Sequence, residues 1–224
     1  MKRVASLAAP LAAPLAAMTL AIALSACSGE AQKPGKGVYM LLDTSGTYTR
    51  EMKKAQQIIN VILASLDPGD SFAVARIDTG SFSERDIVSK ASFDERPSMA
   101  NQQKLQFKAD IDKFVKALKP ASYTDITGGI LQATEFLQEK DHGENIIIIF
   151  SDMAEDLKKG YKRDQAFTLD GVRVVALNVT KLKSDNFDPD RYRARLKEWE
   201  ARVVEGGGEW RKINDLDTLD RTFG

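Results

Sequence analysis

The sequence predicts an α/β domain: a doubly wound, mostly parallel open sheet with one antiparallel edge strand and helices on both faces. Three observations predict it. Short β-type apolar runs alternate with helical stripes along most of the chain. One of those runs, within NIIIIFSD (145–152), holds five consecutive apolar residues, which suits a strand covered on both faces in the middle of a parallel sheet. The chain, at 224 residues with 43% apolar side chains, is long enough for one large core.

The elements follow in order. VYMLL (38–42) is the first strand, and the helix after it, over about 47–66, carries Met52, Ala55, Ile59, Ile62, Leu63 and Leu66 on one stripe before the DPGD turn at 67–70. FAVARI (72–77) is the second strand. Alternation of Ile87, Ser89, Ala91 and Phe93 with polar neighbours marks an exposed edge strand at 87–93. A long helix over about 98–119 turns Phe107, Ile111, Phe114, Val115 and Leu118 inward and is closed by Pro120. Another runs from 126 to 140, then comes the apolar strand at 145–152, then VRVVALNV (172–179). Tyr192, Leu196, Trp199 and Val203 repeat at helical spacing ahead of a glycine run at 206–208, a short strand at 209–213 and a last helical turn or two at 215–223. There is no internal repeat and no second domain.

In such sheets ligands bind beyond the carboxyl ends of the strands, where strand order reverses. Two apolar strands end there in aspartate, Asp43 in LLDTSGT and Asp152 in IIIIFSD, and SYTDITGGI (122–130) sets hydroxyls and a carboxylate at a helix entrance. Asp43, Ser45 and Thr47, spaced by two, could cap a helix, hold an anion, phosphorylate or bind a hard metal ion. Each residue also has a plainer structural reading. Ser45 and Thr47 suit helix caps, Thr124 or Asp125 could cap the next helix, and strand-end aspartates are common in α/β folds. Asp125 and Asp78 are taken as solvated or capping carboxylates, His142 as a loop residue, and Trp199 and Trp210 as packing.

The segments gain meaning together. DTSGT resembles the D-x-S-x-[ST] motif of von Willebrand factor A domains, which builds their metal-ion-dependent adhesion site. Thr124, in YTDITGGI, matches that family's lone threonine, and Asp152, in IFSDM, matches its distal aspartate. The resemblance covers about Val38 to Phe223. Thr47 stands where serine is commoner and Met153 where glycine is frequent, and neither change removes an oxygen ligand. The resemblance implies a Rossmann-like sheet and a Mg2+ site (or Mn2+ or Ca2+). Ser45, Thr47 and Thr124 would be neutral ligands, and Asp43 and Asp152 would act mainly through water or through those hydroxyls. Magnesium takes six oxygens and gives up water reluctantly, so such a donor set suits it. The incompletely neutralised ion would complete its shell with an Asp or Glu carboxylate of a partner protein. Tyr48, Arg50, Ser122, Tyr123 and the charged stretch Met153 to Arg163 would set specificity.

An enzyme is the rival reading. Haloacid-dehalogenase-like phosphatases also follow an apolar strand with D-x-D-x-[TV], but Ser45 stands where that chemistry needs a second carboxylate as general acid. A Walker loop, a serine-hydrolase elbow, an HExxH helix and paired CxxC are absent from the sequence. The expectation is therefore no catalysis and no small-molecule substrate. With 32 basic against 32 acidic residues, nothing recommends nucleic acid as a partner.

The first 26 residues stand apart. MKR precedes 23 uncharged residues rich in Ala and Leu, as in an export signal. The single cysteine lies in Leu24-Ser25-Ala26-Cys27, which resembles the lipobox of bacterial lipoproteins, where the signal is cut before the cysteine and its thiol is lipidated. A retained membrane span is the alternative, and both put the domain outside the cytoplasm. The expected organisation is a lipoprotein signal at 1–26, lipidated Cys27 with a polar tether to 37, and the domain at 38–224. Anchoring in the bacterial envelope follows, with Ser28 fitting the outer membrane of a two-membrane cell. An envelope scaffold with a vestigial or purely structural metal site is the second functional reading.

Overall fold

A computed structural model describes residues 34–46, 48–177 and 188–214. The export signal, Cys27, Thr47, the end of the strand expected at 172–179 and the helical turns expected at 215–223 lie outside the described residues. The element order is β1 (Lys36–Asp43), α1 (Met52–Ser65), β2 (Ser71–Ile77), β3 (Ile87–Ser92), α2 (Pro97–Ala117), α3 (Ile126–Lys140), β4 (Glu144–Phe150), β5 (Val172–Leu177), α4 (Pro189–Glu205) and β6 (Glu209–Ile213). A 3-10 turn at Tyr48–Glu51 precedes α1, and another, Glu84–Asp86, precedes β3.

The six strands form one sheet in the order β3-β2-β1-β4-β5-β6. Only the β2–β3 pairing is antiparallel. From the central pair β1 and β4, the chain winds outward to β2 in one direction and to β5 and β6 in the other, so strand order reverses between β1 and β4. The crevice beyond their carboxyl ends is where a ligand belongs in this topology.

Alternation of side chains along the two central strands divides the core in two. Val38, Met40, Leu42, Ile146, Ile148 and Phe150 face a layer formed with α1 and α2, which includes Ile58, Ile62, Phe107 and Ile111. Tyr39, Leu41, Ile147 and Ile149 face the other layer, with Ile130 and Leu137 of α3 and Trp199 and Val203 of α4. Each fully buried isoleucine of β4 contributes on the order of 2 kcal/mol by removing apolar surface from water. Phe72 stacks on Phe107 at 4.9 Å between ring centroids, and Tyr39 meets Phe136 edge-on at 5.4 Å.

The strands differ from the sequence reading in their bounds and in their register. β1 begins at Lys36, inside the expected tether, because Gly37 pairs with Ser71 and Asn145 on its two sides. A Cβ at Gly37 would lie 2.8 Å from Asn145 Oδ1 and 2.9 Å from Leu137 Cδ2, so this glycine serves close packing. Where β3 pairs with β2, the register shifts between Val74 and Ala75, which lie opposite Ser89 and Ile87, and this breaks the expected alternation in β3. Ile87 packs on the α3/α4 layer, whereas Val88, Ala91 and Phe93 join the α1/α2 layer. Among the described residues no helix is long and apolar enough to cross a membrane.

Candidate functional site

Asp43 is the last residue of β1 and is 1% exposed. Both its carboxylate oxygens are held. Ser45 N–H donates to Oδ1 at 2.8 Å, and Ser151 Oγ, just past β4, donates to Oδ2 at 2.7 Å. Asp152 follows Ser151, is 4% exposed, and its Oδ1 accepts from Ala154 N–H at 2.9 Å. The two strand-end aspartates thus lie on neighbouring parallel strands, linked through Ser151.

The third segment joins through the backbone. Ser45 forms a bridge with Ala121, whose N–H donates to Thr44 O at 2.8 Å. Thr124 bridges Asp156, with N–H···O bonds of 2.8 and 2.9 Å in the two directions. The loop after β1, the loop before α3 and the loop after β4 are therefore stitched together beyond the switch point, carrying Asp43, Ser45, Thr124 and Asp152. Thr47 lies outside the described residues.

Capping does not account for the two hydroxyls. Ser45 serves the following 3-10 turn through its carbonyl, which accepts from Tyr48 N–H, Thr49 N–H and Thr49 Oγ1 at 3.0 to 3.1 Å. At α3 the capping side chain is Asp125, which accepts from Gly128 N–H at 2.8 Å. Neither Ser45 Oγ nor Thr124 Oγ1 bonds to another described residue. The donor set is therefore two fixed carboxylates and two hydroxyls left to other partners. That chemistry fits a hard cation which keeps part of its water shell. Among the described residues no three His, Cys, Asp or Glu side chains gather into a metal cluster, so the hydroxyls and water would have to supply most of the ligands.

Asp125 is more than a cap. It is fully buried and receives Arg163 at 2.6 to 3.1 Å through Nε and Nη2, while Nη2 also donates to Ser81 O at 2.7 Å. Asp125's hydrogen bonds push the Arg163 guanidinium above its usual value. This pair fastens the long segment after β4 onto the mouths of β2 and α3. Of the two readings of Asp125, solvated or capping, the capping one holds, and its surroundings are closed protein, where the Gly128 N–H and the paired guanidinium together make its charge tolerable. Nothing local in the sequence links residues 125 and 163.

The specificity residues are also redistributed. Tyr48 is fully buried, edge-on against Phe150 at 5.5 Å, and Met153 is fully buried with φ +63°, so neither is offered to a partner. Arg50, Ser122 and Lys158 to Lys162 are exposed. The stretch after Met153 contains no helix. His142 is a loop residue, 2.8 Å from Ser71 Oγ at the opposite end of the sheet. Trp199 is buried as expected, yet its indole N–H donates to Met153 O at 2.9 Å, a polar role that helical spacing could not reveal.

Neither a family model nor a curated protein matches the sequence. The fold is shared with solved structures at low identity. A von Willebrand factor type A structure from Catenulispora acidiphila is 16% identical, with a TM-score of 0.50, covering 85% of this chain and 41% of that one. The pilus adhesin SpaC from Lactobacillus rhamnosus GG, in an open conformation, is 10% identical with a TM-score of 0.53, over 85% of this chain and 29% of that one. The PilB minor pilin from Streptococcus sanguinis is 14% identical with a TM-score of 0.51, over 87% and 60%. This chain thus spans less than two thirds of each of these three. The fold is thus similar to that of a von Willebrand factor type A structure.

Proposed function

We propose that this domain is a protein-binding module of the bacterial envelope, anchored through Cys27, which uses a divalent cation held at Asp43, Ser45, Thr47, Thr124 and Asp152 to capture an acidic residue of another protein. The bound ion, Mg2+ or the chemically similar Mn2+, would supply a Lewis-acidic position whose open coordination site takes a carboxylate. The chain's own residues do the rest. Asp43 and Asp152 are buried, Asp43 held by Ser45 N–H and by Ser151 Oγ from the loop after β4 and Asp152 by Ala154 N–H of its own loop, so they would present fixed negative charge to the ion and to its waters. Ser45 and Thr124 would contribute neutral oxygens, leaving the ion short of full neutralisation and receptive to a partner's Asp or Glu. The exposed Arg50 and Lys158, Lys159 and Lys162 would favour an acidic partner surface around that contact. Ser45, a hydroxyl, stands where the rival phosphatase chemistry needs a second carboxylate as general acid, and this favours binding over catalysis.

One observation carries this reading: two buried, loop-held carboxylates share the switch point with two hydroxyls that, among the described residues, neither cap a helix nor bond elsewhere. A pilus adhesin and a minor pilin among proteins of the same fold agree with it. Calorimetric titration of the full chain with Mn2+ and Mg2+ tests it. Binding is expected, and Asp43→Asn, which keeps an acceptor for Ser45 N–H, should weaken it on the order of 100-fold while the domain stays folded. No heat with either ion, in folded protein, would leave the scaffold reading in its place. Mass spectrometry of the mature N-terminus tests the anchor: acylated Cys27 is expected, and an intact Met1 would overturn it.

A further inference from the structure

We infer that α4 is the positioning element of the metal site: Trp199 and Arg195 hold the turn that carries Asp152. This rests on the metal reading above.

Asp152 sits in a turn the backbone would not adopt unaided, because Met153 has φ +63°, a left-handed conformation disfavoured for a residue with a Cβ. Inside the turn, Met153 N–H donates to Ser151 Oγ at 3.0 Å and Ala154 N–H donates to Asp152 Oδ1 at 2.9 Å. Those local bonds orient the carboxylate relative to its own backbone. Ser151 Oγ ties the turn to Asp43 and the Thr124–Asp156 bridge ties the loop beyond it, and α4 adds two bonds to the turn's own carbonyls from more than forty residues away in sequence. Arg195 Nε donates to Asp152 O at 3.1 Å, and Trp199 Nε1 donates to Met153 O at 2.9 Å in a bond buried from solvent. The carbonyls of two successive peptides, Asp152–Met153 and Met153–Ala154, are thereby tied one helical turn apart on the same helix.

The next turn of α4 reaches the other half of the site. The Arg202 guanidinium lies 4.5 Å over the Trp199 ring and 4.8 Å over Phe167, and its Nη2 donates to Thr127 Oγ1 at 2.9 Å. Thr127 N–H in turn donates to Glu155 at 2.7 Å, in the first turn of α3 behind Thr124. One face of α4 thus braces the Asp152 turn and the helix entrance that carries Thr124. Where a glycine at 153 would accept the left-handed turn freely, methionine is held in it by the indole. Partners of this kind, which orient a ligand without touching the ion, tune affinity about as strongly as some ligands do.

The test uses Trp199→Phe, which keeps the aromatic body and deletes the donor, and Arg195→Met, which keeps the stem at a half-exposed position and serves if the first variant folds poorly. Two readouts are taken on the full chain: Mn2+ affinity by calorimetry, and amide exchange at Met153 and Ala154 in metal-free protein. Expected are a loss of Mn2+ affinity of about tenfold, and faster exchange at those two amides with β5 unchanged. Unchanged affinity and exchange in the variants, with wild type binding Mn2+, would overturn the role of α4 and leave the metal reading standing. Slower folding or a lower melting temperature with unchanged Mn2+ affinity would also overturn it, by reducing Trp199 to packing. Wild type that binds no Mn2+ would overturn the metal reading and this role together, whatever the exchange shows.

Discussion

The two ends of the sheet use the same residue types to opposite effect. At the amino ends of β1 and β2, Asp70 is 5% exposed, and its oxygens accept Lys36 N–H and Asp67 N–H, each at 2.7 Å. Ser71 Oγ donates to Ser92 Oγ at 2.9 Å and lies 2.8 Å from His142 Nε2, and Asn145 Nδ2 donates to His142 O at 2.9 Å. Apart from Asn145 Oδ1, these polar side chains find partners within that end of the sheet, in other side chains or in nearby backbone. At the carboxyl ends, Asp43 and Asp152 are just as buried, but the hydroxyls beside them, Ser45 and Thr124, bond to no other described residue. A buried aspartate is thus a staple where its neighbouring hydroxyls are bonded within the fold, and a candidate ligand-bearing residue where oxygens next to it are left over. Burial and charge alone do not separate the two cases.

Breaking Arg163 should have the largest effect on stability, and it sharpens the contrast. Arg163→Met leaves Asp125 fully buried without a counter-charge at the carboxyl end, a situation that typically costs about 3 to 5 kcal/mol. Urea unfolding should show that loss, and the double variant Asp125→Asn/Arg163→Met should recover most of it, since neither charge then remains. A loss below about 1 kcal/mol in the single variant would mean that Asp125 finds water on its own.

Asp70→Ala tests the other end. Two backbone donors lose a charged acceptor, so unfolding free energy should fall by about 2 to 3 kcal/mol, while Mn2+ affinity in the folded protein stays at the wild-type value. If Asp70→Ala removed Mn2+ binding as Asp43→Asn is expected to, the two ends would be coupled and the distinction drawn here would fail.

Much of this architecture is written locally. The run IIIIF, the stripe of α1 and the turn at 67–70 each follow from a period or a turn preference, and all stand in the fold as read. The three loops of the site were legible for a related reason: an apolar strand that ends in Asp43 or Asp152 must deliver that carboxylate to the sheet edge. The rest depends on contacts between distant residues. Arg163 finds Asp125 and Trp199 finds Met153 O only once the segment after β4 has folded back, and no spacing announces either. The same holds for Gly37, whose place in β1 is decided by Asn145 and Leu137 on neighbouring elements. Tyr48 misled for a different reason. Its position after the motif suggests a rim, but a ring of that size beside Phe150 gains more from burial than from solvent.

The smallest effect concerns charge accumulated at the carboxyl end. Asp86 is 6% exposed, with Arg76 Nε at 3.2 Å and Asp78 and Asp125 nearby. Burial raises its pKa above the ordinary carboxylate value, the hydrogen bond and charge of Arg76 lower it, and the two like charges add to the rise, with burial prevailing. A group whose folded pKa lies above its unfolded one holds its proton more tightly when folded. Its contribution to stability is therefore greatest below the unfolded value and declines as pH climbs through the folded one. Asp86→Asn keeps an oxygen for Arg76 Nε but cannot ionise, so its urea midpoint relative to wild type should move in the variant's favour between about pH 3 and pH 7. Movement the other way would mean that Arg76 outweighs burial, and that this end of the sheet stabilises its carboxylates by pairing as fully as the amino end does by backbone bonds.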